Sequence, residues 1–225
     1  SSNVPVPCNI SAIAKIGVGS NHCFAIDSSG VVWAWGDNQY GQLGIGNFNF
    51  QSQPIQLNLR NINTIDGGEN HSVAVSSNGS LYCWGANFNG QLGDSTNIDS
   101  YIPLKITSIG SVFNAEAGFN NTFVNRKDNS VWSFGRNTNY QLADQTNIDR
   151  NYPIHISKLT GATDFGLGYS HSSILSSSET SCISSEVIVD VLPAPPVIII
   201  VVDTFFFASE TGTSYQWFLN GNPIF

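Results

Sequence analysis

Short apolar runs alternate with polar turns along the first 180 residues, and the pattern predicts strands. Apolar runs lie at residues 23–26, 72–75, 122–124 and 172–175. Polar turns such as residues 27–30 and 76–79 follow, and each ends in a glycine that suits a tight hairpin. A second apolar run then ends at Trp35, Trp84 or Phe134. Period-2 alternation and the lack of any long helical stretch predict about four short strands per unit and no helix.

The units are repeats. A Gly-x-x-His group begins at Gly19, Gly68, Gly118 and Gly168, at steps of 49, 50 and 50 residues. A Trp-Gly…Gly-Gln-Leu-Gly phrase occupies residues 35–44 and 84–93, with a diverged copy at 134–143. A proline with alternating apolar residues closes each unit, at Pro54, Pro103 and Pro153, where an edge strand or a strand start tolerates it. Repeats of 40–50 residues with four strands predict β-propeller blades, which stack around an axis.

The predicted fold class is therefore all-β, a β-propeller with three full four-stranded blades and one partial blade. The landmarks resemble the regulator-of-chromosome-condensation repeat family over roughly residues 4–183. The third repeat departs from the family pattern at Asn121, Phe134 and Ala143, and the fourth lacks the Trp-Gly and Gly-Gln-Leu-Gly groups after Cys182. The resemblance implies about seven blades in a typical member, more than this chain supplies.

Two arrangements of the blades remain open. Residues 5–10 match the closing strand at residues 54–59, so they are expected to complete the fourth blade and close a small ring. Cys8 and Cys182 would then share one blade and could form a disulfide. The alternative is an open arc cut from a longer propeller. A structure with residues 5–10 remote from residues 164–187 would exclude the closed ring.

Beyond the propeller, predicted to span residues 1–190, the repeat pattern is lost. A Pro-rich linker is expected at 191–196, and residues 197–225 are predicted to form new strands, with a hairpin turn at Asn220 and Gly221. The Tyr-Gln-Trp-x-x-Asn-Gly phrase that begins at Tyr215 resembles immunoglobulin-like modules of surface proteins exported by type IX secretion in Bacteroidetes. The segment is a fragment, since such a β-sandwich needs about 100 residues.

Charge narrows the classes of partner. The net charge is −8 with only 8 Lys and Arg residues, which disfavours nucleic acid and anionic membrane surfaces. The longest apolar run, residues 197–202, is far shorter than a membrane span. The chain does not begin with Met, which suggests a processed or trimmed product. The even count of 4 cysteines is compatible with an oxidising compartment, and no pair has metal-ligand spacing.

Several residues are candidates for chemistry. His22, His71 and His171 recur at one position of the repeat, so we interpret them as structural residues that hydrogen-bond to backbone and join strands. Two near-identical loops, residues 94–99 and 144–149, are either solvated turns with Asx hydrogen bonds or a source of oxygen ligands for Ca²⁺. The candidate binding residues in the blade loops are Phe48, Phe50, Asp94, Asp99, Asp144 and Asp149.

No metal, cofactor or catalytic residue is predicted, because the nucleophile, phosphate-loop and zinc motifs are missing from the sequence. Phe48 and Phe50 either form a contact surface or fold over the blade. The family resemblance implies nucleotide exchange on small GTPases, chromatin contact or enzyme inhibition, and the acidic charge and the C-terminal phrase typical of exported proteins argue against the first two. We therefore expect a secreted or cell-surface binding module, in an extracellular or outer-membrane setting, whose partner is a protein or a surface glycan. The alternatives are a scaffold or adhesin subunit of a surface assembly, and a glycan-acting propeller enzyme that uses axial residues.

Overall fold

The computed structural model describes residues 8–176 and four later strand segments, 198–201, 206–211, 214–219 and 222–223. Every regular element in these described parts is a β-strand. No helix among them is long and apolar enough to cross a lipid bilayer.

Three four-stranded antiparallel sheets follow one another along the chain, as the repeats predict. The first contains β1 (Ile13–Val18), β2 (His22–Asp27), β3 (Val32–Gly36) and β4 (Gln51–Leu57). The second contains β5 (Ile62–Gly67), β6 (His71–Ser76), β7 (Leu81–Gly85) and β8 (Ser100–Ile106). The third contains β9 (Val112–Ala117), β10 (Asn121–Arg126), β11 (Ser130–Gly135) and β12 (Arg150–Thr160). A fourth sheet begins with β13 (Ala162–Leu167) and β14 (Ser172–Ser176).

Local residue chemistry sets the ends of these strands. The hairpins between the second and third strands of each sheet turn at Gly30, Gly79 and Asn129, all with positive φ. Pro54, Pro103 and Pro153 lie in β4, β8 and β12, the outermost strand of each sheet. An edge strand has no neighbour that needs the missing N–H, so the predicted tolerance for proline is confirmed.

The sheets stack as the blades of a propeller. The first strands of successive sheets, β1, β5, β9 and β13, approach one another and line the axis. Between the first two blades, Phe24, Leu43 and Trp84 are fully buried in one core cluster. Burial of one such leucine stabilises the fold by about 1.5–3 kcal/mol. The fold is an all-β propeller, and its core lies between blades rather than within any one of them.

The face of the first blade that points away from the second blade is exposed. Ile16 is 71% exposed, whereas Ile65 and Phe165 at the same position of later blades are 6% and 7% exposed. Trp35 is half-buried, whereas Trp84 is completely buried. Among the described residues, no sheet covers this face. Residues 5–7 and 177–187 lie outside the described parts, so ring closure by residues 5–10 stays a prediction.

The later strands form two further groups. β15 (Ile198–Val201) pairs in parallel with β14 and is the third strand of the fourth sheet. β16 (Phe206–Thr211), β17 (Ser214–Leu219) and β18 (Asn222–Pro223) form an antiparallel sheet in which Leu219 lies opposite Asn222. That pairing fits the predicted two-residue hairpin, although Asn220 and Gly221 themselves lie outside the described residues. The linker at 191–196 also lies outside them, and the domain boundaries stay predictions.

Candidate functional site

Long loops follow β3, β7 and β11 at one end of the blades, here called the loop end. The side chains of Asn38, Asn87 and Asn137 are completely buried at the start of these loops. Each side-chain oxygen accepts the N–H of the leucine five residues later, at 2.9, 3.0 and 2.9 Å. Each amide nitrogen donates to carbonyl oxygens farther along its loop, as from Asn38 to Asn47 at 2.8 Å. The loops are therefore fixed from inside.

Asp94 and Asp99 stabilise the loop of the second blade. Oδ1 of Asp94 accepts the N–H of Thr96 at 2.9 Å and the side-chain amide of Asn87 at 3.0 Å. Oδ1 of Asp99 accepts the backbone N–H of Asn87 at 2.8 Å. These two carboxylates thus act within their own loop, one of them through an Asx turn.

Asp144 and Asp149 have the same roles in the third blade. Oδ1 of Asp149 accepts the N–H of Asn137 at 2.7 Å, and its Oδ2 accepts the side-chain amide of Asn89 in the second blade at 2.7 Å. The guanidinium of Arg150 lies 2.8 Å from Asp144. Burial raises the pKa of Asp144, but hydrogen bonds from Thr146 and Arg150 outweigh it and hold the pKa below its usual range. In the described residues, no three His, Cys, Asp or Glu side chains are grouped to hold a metal ion.

The first blade closes its loop differently. Phe50 occupies the position held by Asp99 in the second blade, since Gly36 pairs with Gln51 as Gly85 pairs with Ser100. The N–H of Asn38 is instead accepted by Oδ1 of Asp37, its neighbour in sequence, at 2.8 Å. The accepting carboxylate therefore follows β3 in the first blade, whereas in the second blade it precedes β8. Position 50 has no such structural role.

Phe48 and Phe50 are both exposed, at 53% and 64%, rather than folded over the blade. The ring of Phe48 meets the ring of Tyr101 from the second blade, with centroids 5.3 Å apart. Tyr101 is 45% exposed, and its neighbour Ile102 is 48% exposed. We call Phe48, Phe50, Tyr101 and Ile102 the aromatic seam.

The next junction between blades has no such surface. Asn97 and Asn151 occupy the positions of Phe48 and Tyr101 there, and their side-chain amides hydrogen-bond at 3.0 Å. Both junctions share the same backbone contact: Gly46 donates to the carbonyl of Tyr101 at 2.9 Å, and Ser95 donates to that of Asn151 at 2.7 Å. The fold therefore does not require aromatic rings at the first junction, which makes the aromatic seam the candidate binding site.

Close backbone packing holds the aromatic seam in place. Gly41 has φ of +78°, and a Cβ atom there would lie 2.5 Å from the Cα of Tyr101. Only glycine permits this approach. The structure therefore brings Phe48 together with Tyr101 and leaves Phe50 exposed two residues farther along the same loop, whereas the four aspartates lie in the loops of the second and third blades. Sequence reasoning missed Tyr101 because its contact crosses 53 positions of chain.

The repeated histidines join blades through side chains. Nε2 of His22 lies 2.8 Å from the Ser72 hydroxyl, and Nε2 of His71 lies 3.0 Å from the Thr122 hydroxyl. Ser72 donates its own proton to the carbonyl of Gln42 at 2.8 Å, so it accepts the Nε2–H of His22. The interpretation that these residues join strands is therefore confirmed for His22 and His71, whose Nε2 atoms contact side-chain hydroxyls. The third repeat uses Asn121 in this position, and His171 is exposed.

A polar cavity of about 470 Å³ lies at the axis, where β1, β5 and β9 meet. Lys15, Asp66 and Glu116 line it. Burial raises the pKa of Asp66 to about 6. It also raises the pKa of Glu116 to about 7, with further contributions from the nearby Asp164 and Asp66. Sequence reasoning missed these acids, although Asp66 and Glu116 each lie two positions before a repeat glycine.

Comparison with known proteins agrees with the repeats. The model of the regulator of chromosome condensation (RCC1) repeat family matches residues 29–75, 78–124 and 128–175. A second model of the same repeat matches residues 13–42 and 62–91. A 42-residue stretch, 19% of the chain, is 45% identical to part of the human E3 ubiquitin-protein ligase HERC2, of which it covers 1%.

Solved structures share the fold at low identity. The crystal structure of Prp20p from Saccharomyces cerevisiae, described with its binding to Gsp1p and histones, is 24% identical with a TM-score of 0.60, over 66% of this chain and 39% of that one. The same yeast RCC1 protein bound to Kap60 gives a TM-score of 0.62 at 24% identity, and the match covers 66% of this chain and 37% of that one. The crystal structure of human WBSCR16 has a TM-score of 0.57 at 22% identity, and the match covers 64% of this chain and 37% of that one. The described chain thus spans well under half of these relatives.

Proposed function

This chain belongs to the RCC1 repeat family, and on that premise we propose that it is a protein-binding β-propeller module that holds its partner at the aromatic seam. The observation that carries the proposal is the exposed contact between Phe48 and Tyr101, at a junction whose counterpart is closed by two amides. Exposed aromatic side chains on a rigid support are typical of contact surfaces.

The relatives support a protein as the partner. Prp20p is described as binding Gsp1p and histones, and it is seen in complex with Kap60. Those partners belong to a protein of which this chain matches less than two fifths, so we transfer only the class of partner. RCC1 propellers of this kind act as binding or regulatory proteins, and we propose that this module has no catalytic activity of its own.

We further propose that the protein works outside the cell, secreted or at a bacterial surface. The immunoglobulin-like phrase near Tyr215 supports this setting, and the net charge of −8 disfavours nucleic acid as a partner. In that setting the partner is a surface protein, and a scaffold or adhesin role within a surface assembly, or contact with a surface glycan, are the alternatives.

A matched variant tests the binding site. Phe48→Asn with Tyr101→Asn copies the amide pair of the next junction, so the fold is expected to be retained. Immobilised wild-type chain and this double variant are exposed to proteins of the source's outer surface, and retained proteins are compared by quantitative mass spectrometry. A protein kept only by the wild type is then purified, and its affinity is measured for both chains. Equal affinity for the double variant would refute the proposed site.

A glycan-acting enzyme remains the second candidate because of Glu116. Its carboxyl, with a pKa raised to about 7 by burial and by Asp164 and Asp66, is suited to give up a proton near neutral pH. A glycosidase needs one protonated and one ionised carboxyl group. Incubation with bacterial surface polysaccharides tests this role. Sugar release that disappears in Glu116→Gln would establish it, and binding without turnover would exclude it.

A further inference from the structure

We propose that the aromatic seam receives a cationic segment of the partner, with an arginine or lysine side chain lying over the exposed rings. This inference rests on the proposed function, since it names the chemistry of the partner that the aromatic seam would hold.

The two segments that carry the aromatic seam contain charge of one sign only. Residues 37–59 and 86–104, which supply the two loops, all of β4 and most of β8, contain no lysine or arginine. They contain three acids, Asp37, Asp94 and Asp99. Gly36 pairs with Gln51 at the end of the ladder, so the backbone of Asp37 follows opposite that of Phe50. Asp99 lies two residues before Tyr101 on the adjoining loop.

The nearest basic residues in sequence lie at the other end of the blades. Strands β4 and β8 begin at the loop end and run away from it. Lys105 is the last residue but one of β8, and Arg60 follows the end of β4. Lys105 lies four positions beyond Tyr101 in the strand, a rise of roughly 13 Å. Neither Arg60 nor Lys105 therefore neutralises Asp37 or Asp99.

The rings themselves attract cations, and the chain shows this elsewhere. The guanidinium of Arg136 lies over the ring of Tyr169 at 5.4 Å, and that of Arg126 lies over Trp132 at 5.6 Å. Among the described residues, no arginine or lysine occupies the faces of Phe48, Phe50 or Tyr101 in this way. A cation within about 6 Å of an aromatic ring is attracted to its face, and a carboxylate beside the ring adds Coulombic attraction.

Other occupants fit the aromatic seam less well. An acidic segment would be repelled by Asp37 and Asp99. A second copy of this chain carries the same net charge of −8 and the same anionic loops. A neutral apolar segment would remove Asp37 from water without supplying a counter-charge, which is unfavourable. A basic segment satisfies the rings and the carboxylates together.

The probes are short Gly-Ser peptides that carry several arginines, lysines, glutamines or glutamates, tested by biolayer interferometry on the whole chain. We expect binding in the order arginine, lysine, glutamine, with none for glutamate, and weaker binding as salt increases. The double variant Phe48→Asn and Tyr101→Asn should lose about tenfold in affinity for the arginine peptide. Asp37→Asn should lose a smaller factor and flatten the salt dependence.

Two controls separate the possible results. Ile148→Asn changes an exposed apolar residue of the third blade's loop, 57% exposed, and should leave affinity unchanged. Unfolding in urea verifies that every variant is folded. Equal binding of the arginine peptide by the double variant, or a preference for glutamine or glutamate peptides, overturns the inference. If such a preference occurs while the natural partner still depends on Phe48 and Tyr101, the proposed function stands and only the cationic partner is rejected.

Discussion

Nε2 of His22 lies 2.8 Å from the hydroxyl oxygen of Ser72, which belongs to the next blade. The Ser72 proton is directed at the carbonyl of Gln42, 2.8 Å away, and the same carbonyl accepts the indole N–H of Trp84 at 2.8 Å. Two blades are thus tied by a continuous set of hydrogen bonds that starts at an imidazole. The second junction repeats the contact between these two positions with His71 and Thr122, and the third does so with the amide of Asn121 and Ser172.

The first prediction concerns this imidazole position. Removal of the fully buried His71 side chain by His71→Ala should lower the free energy of unfolding by about 2–3 kcal/mol, because a hydrogen bond and buried volume are both lost. His71→Asn should cost less, since Asn121 makes the equivalent contact in the next blade. Urea unfolding measures both. His171→Ala, at an exposed residue, is the control, and a comparable loss there would contradict the prediction.

The second prediction concerns pH. The folded-state pKa of Glu116, about 7, lies above its ordinary value of 4.5, chiefly because of burial. A raised carboxyl pKa means that stability is fully present below pH about 4.5 and is lost as the pH rises toward 7. Glu116→Gln removes this loss, so its stability relative to wild type should rise between pH 4.5 and 7 by roughly 2 kcal/mol and then stay constant.

Urea midpoints of wild type and Glu116→Gln between pH 4 and 8 measure that difference. The comparison matters because His22 and His71, with pKa values lowered by burial to about 4 and about 3, change stability in the opposite direction. Their contribution is the same in both proteins and cancels. A difference independent of pH would show that Glu116 is not the titrating group.

The third prediction concerns the glycine that faces a tryptophan. Gly44 has φ of +70°, and a Cβ there would lie 2.8 Å from Nε1 of Trp84. Gly44→Ala should therefore destabilise the fold by about 2–3 kcal/mol through backbone strain and overpacking. Ala143 occupies the equivalent position of the third blade with φ of 59°, so Ala143→Gly should be neutral or gain up to about 1 kcal/mol. Thermal unfolding compares the two variants.

The fourth prediction is a rescue. Asp37→Ala leaves the N–H of Asn38 without its acceptor and should cost about 1–2 kcal/mol. Adding Phe50→Asp recreates the combination of Ala86 and Asp99 found in the second blade, where the acid accepts the N–H of Asn87 at 2.8 Å. The double variant should therefore recover most of the lost stability in urea unfolding. An additive loss would mean that Asp37 does not close the loop.

The sequence predicted the blades because their determinants are local and recur in phase. Alternating strands, turn glycines and the edge prolines depend on neighbouring residues, and all appear where expected. The partners of the histidines were harder to predict from the sequence, because Ser72 and Thr122 are small polar residues within apolar runs. Each lies one position after a repeat histidine or asparagine. Their recurrence was a usable signal that sequence reasoning did not use.

The site was predicted only in part. Phe48 and Phe50 are candidates because exposed aromatic residues among amides suit a contact surface, and the structure leaves both exposed. Tyr101 belongs to another repeat, and only the approach of two blades brings it to Phe48. The four aspartates are candidates because two near-identical loops offer carboxylate oxygens at a fixed spacing, and in the structure these oxygens accept hydrogen bonds from their own loops.

The division of the aromatic seam between two repeats has an evolutionary consequence. Repeat proteins gain and lose whole units by duplication and deletion, and most junctions here would survive such an event because their bonding groups recur. Phe48 and Tyr101 do not recur, so a unit inserted between them would separate the pair and leave each ring beside an unrelated neighbour. Selection for this contact would therefore fix the order of the first two blades while the remaining ones stayed free to be exchanged.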